Sequence, residues 1–238
     1  MNRGIYSLAS GMVATQQAMD VVSNNLANVN TGGFKADKVL FNDALQQELT
    51  NSDGTRIGTI GSGAAAKAQY TDLTQGNITE TNNQLDLAIE GSGMFAVQGP
   101  NGETLYTRNG AFKRSSDGTL VTLQGYPVLD PNGKTIELRP GTVAVSANGS
   151  ISTGQDGTTY AQIGIFDGTF SKSGSGAYRS ANTAASTAKV KQGALESSNV
   201  NPITTMVDMI SLGRNFELSQ KSILAEDDMT QKLTSTLS

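Results

Sequence analysis

The sequence predicts an α+β chain, with one amphipathic helix at each end forming a coiled-coil-like layer, a central all-β domain between them, and extended linking arms. Three observations carry that expectation. Apolar residues recur at three- and four-residue steps near both termini, Asn-Gly and Asp-Gly turn signals recur through the centre, and alternating apolar runs separate those turns.

Residues 1–33 are expected to form the N-terminal helix. Ile5, Leu8, Met12, Met19, Val22, Leu26 and Val29 fall on one seam interrupted only by Thr15, the pattern of an amphipathic helix or coiled-coil strand. Thr31-Gly32-Gly33 supplies glycine where that helix should stop. Only Arg3 and Asp20 are charged in this stretch, and the face away from the seam is Asn, Gln, Ser and Ala. A solvated surface helix normally carries charge there. Ordering thirty backbones costs more than seven apolar side chains return, so the segment is expected to fold fully only on assembly. A two-helix hairpin packed on its own β-domain is the alternative.

Residues 34–80 read as a linking arm. Val39, Leu40, Phe41, Leu45 and Leu49 make a short amphipathic pattern, and residues 51–68 turn rich in Gly, Ser, Thr and Ala, as in a linker or extended arm. Residues 81–179 read as one all-β domain. Its turn signals are Pro100-Asn101-Gly102, Ser116-Asp117-Gly118, Pro131-Asn132-Gly133, Ala147-Asn148-Gly149 and Gln155-Asp156-Gly157. Leu85, Leu87 and Ile89 alternate with Asp86, Ala88 and Glu90, and Val143/Val145 and Ile163/Ile165 repeat the pattern. Residues 180–199 read as a return linker, so both crossings are expected to be adjustable.

Residues 200–238 are expected to form the C-terminal helix, with Asn201 as N-cap and Pro202 in the first turn. Met209, Leu212, Phe216, Ile223, Leu233 and Leu237 keep the seam, broken by Ser219, Glu226 and Thr230. The two terminal helices are therefore expected to be partners and to form the assembly interface.

Composition excludes most chemistry. The chain of 238 residues has a net charge of -4, a pI near 4.9 and no histidine or cysteine. Disulfides, Cys-ligated zinc, iron–sulfur centres and histidine-based catalysis are ruled out by residue inventory. No dense basic cluster suits nucleic acid or an anionic membrane, and no apolar run suits a cleavable signal or a membrane span. Gly61-Ser62-Gly63-Ala64-Ala65-Ala66 matches a dinucleotide fingerprint without the strand and helix that give it meaning, and Gly91-Ser92-Gly93-Met94-Phe95-Ala96 lies inside a strand pattern. Asp130-Pro131-Asn132-Gly133 lacks the later ligands of a calcium loop, and Glu226-Asp227-Asp228 reads as an exposed helix face. No catalytic residue, metal, cofactor or small-molecule substrate is expected.

Three motifs then carry a resemblance. Asn24-Asn25-Leu26-Ala27-Asn28-Val29-Asn30-Thr31-Gly32-Gly33-Phe34-Lys35 resembles the signature after the first helix of bacterial flagellar basal-body rod and hook proteins. The run from Leu85 to Phe95, followed by Tyr106-Thr107-Arg108-Asn109-Gly110, resembles that family's β-domain, with Met94 where Phe is commoner. Gly193-Ala194-Leu195-Glu196-Ser197-Ser198-Asn199-Val200-Asn201-Pro202, continuing to Ile210, resembles its third signature.

The resemblance implies a structural subunit, not an enzyme, whose partners are itself, other flagellar rod proteins and the flagellar type III export apparatus. It implies export without a cleavable signal and a place in the periplasmic rod, where terminal helices stack as an inner tube and transmit torque. Small residues Ala9, Gly11, Ala14 and Ala18 would allow close helix approach. Length resembles the rod members rather than the hook. Asn201-Pro202 followed by Arg214-Asn215-Phe216-Glu217 resembles the proximal-rod members most, with the distal rod as close alternative. A monomeric β-domain that binds a glycan or surface ligand is the reading from another class.

Overall fold

The computed structural model describes residues 2–43, 46–50, 56–61, 64–153, 158–174 and 176–236. The chain is α+β. It begins with α1 (Asn2–Ala27) and continues with β1 (Asp37–Asp43), β2 (Gln46–Thr50), β3 (Arg56–Gly61), β4 (Ala64–Thr71), β5 (Ile78–Glu80), β6 (Leu87–Glu90), β7 (Met94–Gln98), β8 (Thr104–Thr107) and β9 (Phe112–Arg114). There follow β10 (Leu120–Thr122), β11 (Val143–Val145), β12 (Ser150–Thr153), β13 (Thr159–Gln162), β14 (Ile165–Gly168), β15 (Ser171–Gly174), β16 (Ala177–Arg179), β17 (Thr183–Ala185), β18 (Lys189–Gln192), β19 (Ala194–Glu196) and α2 (Pro202–Thr236). The chain divides into two compact units, one of residues 1–27, 37–72 and 201–238, the other of residues 28–36 and 73–200.

In the first unit both helix boundaries follow from local chemistry. α1 ends at Ala27 and passes into a turn over residues 28–30, so Val29 lies beyond the helix rather than on its seam. α2 starts at Pro202, and the Asn201 side-chain oxygen accepts the backbone N–H groups of Ile203 at 3.0 Å and Thr204 at 3.4 Å. These are two of the donors that a helix start leaves unpaired.

The arm is a hairpin. β1 and β4 pair antiparallel from Asp37↔Thr71 to Asp43↔Ala64, with a bulge between Leu40 and Phe41, and β2 pairs with β3 beyond them. Val39-Leu40-Phe41 satisfies a strand as readily as a helical turn, and the distant 64–71 segment decides between them. Leu45 lies outside the described residues. α1 packs against α2, β4 and β1.

The second unit is built from antiparallel ladders. Its main sheet has the order β15-β16-β8-β7-β14-β17, joined by the three-stranded sheet β11-β12-β13 and the pairs β9-β10, β6-β18 and β5-β19. Leu87, Ile89, Phe95, Phe112, Leu120 and Val128 fill the centre, with the Phe95 and Phe112 rings edge to face at 5.2 Å. The turns at Asn101-Gly102, Asp117-Gly118 and Asn148-Gly149 lie in short connections between strands, and Asn132-Gly133 turns the chain between the bridged Leu129 and Thr135, each with its glycine at positive φ. Gln155-Asp156-Gly157 lies outside the described residues.

Strand β6 and the residue before it are covered on both faces, since Asp86, Leu87, Ala88 and Ile89 are all buried. Asp86 is tolerated inside because its carboxylate accepts hydrogen bonds from Thr81 and Asn83. Residues 180–199, expected as a return linker, carry β17, β18 and β19, paired with β14, β6 and β5. Small polar residues fit an edge strand as well as a linker, and only the partner strand distinguishes them.

Candidate assembly interface

Within the first unit, α1 packs against α2, and most described seam residues of both helices are partly covered. Leu8, Met12, Met19, Val22 and Leu26 on α1 are half-buried, as are Met209, Leu212, Phe216 and Ile223 on α2. Ile5 and Leu233 lie within the helices, Leu237 lies outside the described residues, and Val29, in the second unit, is half-buried in its turn. Ala14 and Ala18 are buried on α1, at 4% and 6% exposure, as expected where helices approach closely. Ala9 is exposed and Gly11 half-buried.

A second apolar stripe on α2 remains uncovered. Ile203, Met206, Val207 and Ile210 stand at helical i, i+3, i+4, i+7 positions and are 73%, 51%, 57% and 57% exposed. Leu218, Leu224 and Met229 are exposed farther along α2, and Tyr6 and Val13 are exposed on α1. The stripe lies about 140° around the helix from the Met209–Phe216 seam at 100° per residue. Sequence reading selected the seam and passed over this stripe, although its spacing begins directly after the Asn201 cap.

Within the second unit, the three sequence motifs converge on one buried ion triad. Glu196, at the end of β19, receives Lys35 Nζ on Oε1 at 2.5 Å and Arg108 Nε on Oε2 at 2.5 Å. All three side chains are almost fully enclosed, at 1%, 4% and 0% exposure for Lys35, Arg108 and Glu196. The backbone N–H of Gly76 also donates to Glu196 Oε1 at 2.8 Å. Two cations meet this carboxylate, and both also donate to carbonyl oxygens. Lys35 donates to the Thr74 carbonyl at 2.7 Å. Arg108 donates to the carbonyls of Gly91 at 2.6 Å, Ile89 at 3.1 Å and Gly93, so its planar fork closes over the β6–β7 turn.

The flanking motif residues complete this cluster. The Gly33 N–H donates to the Glu196 carbonyl at 2.7 Å, Asn199 N–H to the Phe34 carbonyl at 3.3 Å, and Ala36 N–H to Asn199 Oδ1 at 2.8 Å. Lys172 lies 4.2 Å from the Phe34 ring centre. Leu195 is half-buried and Val200 buried. Thr31 donates to Asn28 through its backbone at 3.0 Å, whereas Asn24 and Ala27 are exposed. Asn25 belongs to the first unit, where its side chain exchanges hydrogen bonds of 2.8 and 2.9 Å with the Asp37 backbone. Arg108 was legible as part of a motif but not as a site residue; an arginine set in a strand ending beside a buried apolar run was its only signal.

Two glycines are required by this packing. Gly33 has φ +68°, and a Cβ there would stand 2.5 Å from the Arg108 carbonyl carbon. A Cβ on Gly110 would overlap the Leu87 carbonyl oxygen, next to the hydrogen bond that Leu87 N–H gives to Gly110. Gly110→Ala should therefore destabilise the β-rich unit by about 3 kcal/mol, the upper end of overpacking costs. A urea midpoint that stays at the parent value would show that the strands part without penalty.

No reactive constellation accompanies these features. Among the described residues, no group of three or more His, Cys, Asp or Glu is placed to hold a metal. Ala64–Ala66 of the first glycine-rich match lie in β4, while Gly91 and Gly93 of the second form the turn under Arg108. A cleft of about 330 Å³ in the second unit has Val97, Leu105, Asn109, Thr122 and Tyr126 among its walls. Its charged pair, Glu103–Arg179, is already joined at 2.6 Å. Among the described residues no helix is long and apolar enough to cross a membrane.

Comparison with known proteins places these features in a family. The family model "Flagella basal body rod protein" matches residues 5–35, "Flagellar hook protein FlgE/F/G D1 domain" residues 88–165, and "Flagellar basal body rod FlgEFG protein C-terminal" residues 191–236. The flagellar basal-body rod protein FlgG of Agrobacterium fabrum is 33% identical over 260 residues, covering 99% of each chain. FlgG of Bacillus subtilis is 35% identical, covering 98% of each. FlgF of Rhizobium meliloti is 34% identical over 229 residues, covering 91% of this chain and 90% of its own.

Proposed function

Because the chain belongs to the flagellar rod and hook protein family and is a structural component of the basal-body rod rather than an enzyme, we propose that it polymerises through its terminal helices into the shaft that transmits torque. The observation that carries this reading is the uncovered α2 stripe of Ile203, Met206, Val207 and Ile210. An exposed apolar helical stripe of this kind marks a protein–protein contact. Neighbouring copies meet it with a different surface, so the contact is heterologous and propagates along an axis instead of closing a dimer.

In this reading the helices of successive subunits form a coiled-coil-like layer, and the half-buried seams consolidate within it. The hairpin arm bridges neighbours, other rod proteins adjoin the ends of the stack, and the chain reaches the periplasm through the flagellar type III export apparatus. Leu26→Asp and Phe216→Asp should each abolish incorporation into rods while leaving the β-rich unit folded, because an unpaired charge enters an apolar helix layer. Rods containing either variant at parental level would defeat the proposal. Amide exchange on monomer and assembled rod tests the coupled folding of residues 2–30, which should be protected only in the rod.

We place the subunit in the proximal, FlgF-like part of the shaft. Arg214-Asn215-Phe216-Glu217 after Asn201-Pro202 supports this. The distal, FlgG-like position is the second reading, supported by the frequency of the FlgG name among the matched relatives. Rescue of a strain lacking FlgF, against one lacking FlgG, separates the two.

A further inference from the structure

We propose that the Lys35–Glu196–Arg108 triad is a mechanical joint: it makes the segment leaving α1 and the segment entering α2 one rigid piece of the β-rich unit. Force arriving through either helix then reaches the sheets without unpeeling the crossing chain. The origin of that force rests on the rod reading.

Strand pairing does not hold the first crossing. Residues 31–36 form no described strand; Gly33 N–H donates to the Glu196 carbonyl and the Phe34 carbonyl accepts from Asn199 N–H, on the other crossing, while Lys172 donates to the Lys35 carbonyl. The two crossings thus hold each other. β19 and β5 are strands of three residues forming a two-stranded pair, a ladder too small to be stable on its own. The triad ties both crossings to the longer strands. Through Lys35 it holds the first crossing, through Glu196 the second, and through Arg108 the end of β8 and the carbonyls of the β6–β7 turn. Thr74 and Gly76 bind the same cluster from the chain following the arm.

Ions suit this task better than apolar side chains. Charge-assisted hydrogen bonds are short and directional, and a buried charge that loses its partner is left uncompensated, so the joint tolerates no sliding to a second arrangement. An apolar contact of the same size can shift by a fraction of a side chain at small cost. Lys35, at the crossing's end and touching both Glu196 and Thr74, is the positioning residue whose loss frees the first crossing while leaving the Arg108–Glu196 pair intact.

The chain has no cysteine, so attachment points can be introduced without background. Full-length protein carrying Ala27→Cys and Thr204→Cys, both at exposed helix ends, is stretched between those points. The parent should lengthen only as the β-rich unit unfolds. With Lys35→Met added, a separate step at lower force should precede it, of at most about 30 Å for the nine residues 28–36 at 3.3–3.6 Å each, less the distance they span when folded. Without force, amide exchange in Lys35→Met should rise at residues 33–36 and 196–199 while β7 and β14 keep parental protection. An unchanged force curve and unchanged exchange would put the joint elsewhere. Exchange that rises equally in β7 and β14 would make the triad an ordinary part of the core, and would equally overturn the proposal. Both measurements use monomer, so they stand or fall separately from assembly.

Discussion

Glu196→Ala should be the most damaging single substitution in the β-rich unit, costing about 3–5 kcal/mol, the range for removing one partner of a buried ion pair. The side chain is fully enclosed and joined to two cations at 2.5 Å, so its removal takes the shared carboxylate from Lys35 and Arg108, both shielded from water. Domains of ordinary size are stable by about 5–15 kcal/mol, so much of the margin disappears. Glu196→Gln should cost less, since an amide oxygen still accepts from one cation. A double change, Lys35→Met with Glu196→Gln, should recover part of the loss because fewer unpaired charges remain. The check is urea unfolding of all three variants; an alanine variant within about 1 kcal/mol of the parent, when surface changes alone amount to about 0.5, would mean that the charges find water or new partners.

The second large effect is expected on assembly without any on the fold. Ile210 is 57% exposed at the end of the uncovered stripe. Ile210→Asp should leave monomer stability within about 0.5 kcal/mol, as for other exposed positions. In the assembled shaft the same carboxylate would be dry and unpaired, costing about 3 kcal/mol or more, which is over a hundredfold in subunit affinity. Phe216→Asp differs in a measurable way, since Phe216 is half-buried on the side facing the first unit's own packing and should loosen the monomer too. Sedimentation of purified subunits under polymerising conditions, beside thermal melts of the monomers, reads both quantities. An Ile210→Asp subunit that polymerises at the parental concentration would assign the contact to another face.

The residues differ in how far their roles were legible beforehand. Asn201 and Pro202 were readable because a cap acts on backbone groups two and three residues away. The Asn-Gly and Asp-Gly turns were readable for the same reason, their positive φ being a property of one residue. The hairpin arm was not, since Val39-Leu40-Phe41 carries no period long enough to choose between helix and strand, and its partner lies at 64–71. Nor was the membership of 180–199 in three separate ladders. On α2, two apolar stripes have equally valid helical spacing, and periodicity alone cannot say which faces α1.

Taken alone, the chain's residues determined the two helix ends, the turns of the β-rich middle, the lack of histidine and cysteine chemistry, and the family through its three signatures. Each depends on groups within a few positions of one another, or on inventory. Tertiary structure alone decided that those signatures meet, bringing Lys35 to Glu196 across 161 positions and Arg108 to Glu196 across 88. A lysine, an arginine and a glutamate look the same in a sequence whether solvated or buried. Their protonated and ionised forms become a joint only when folding removes water and leaves each other as the available partners.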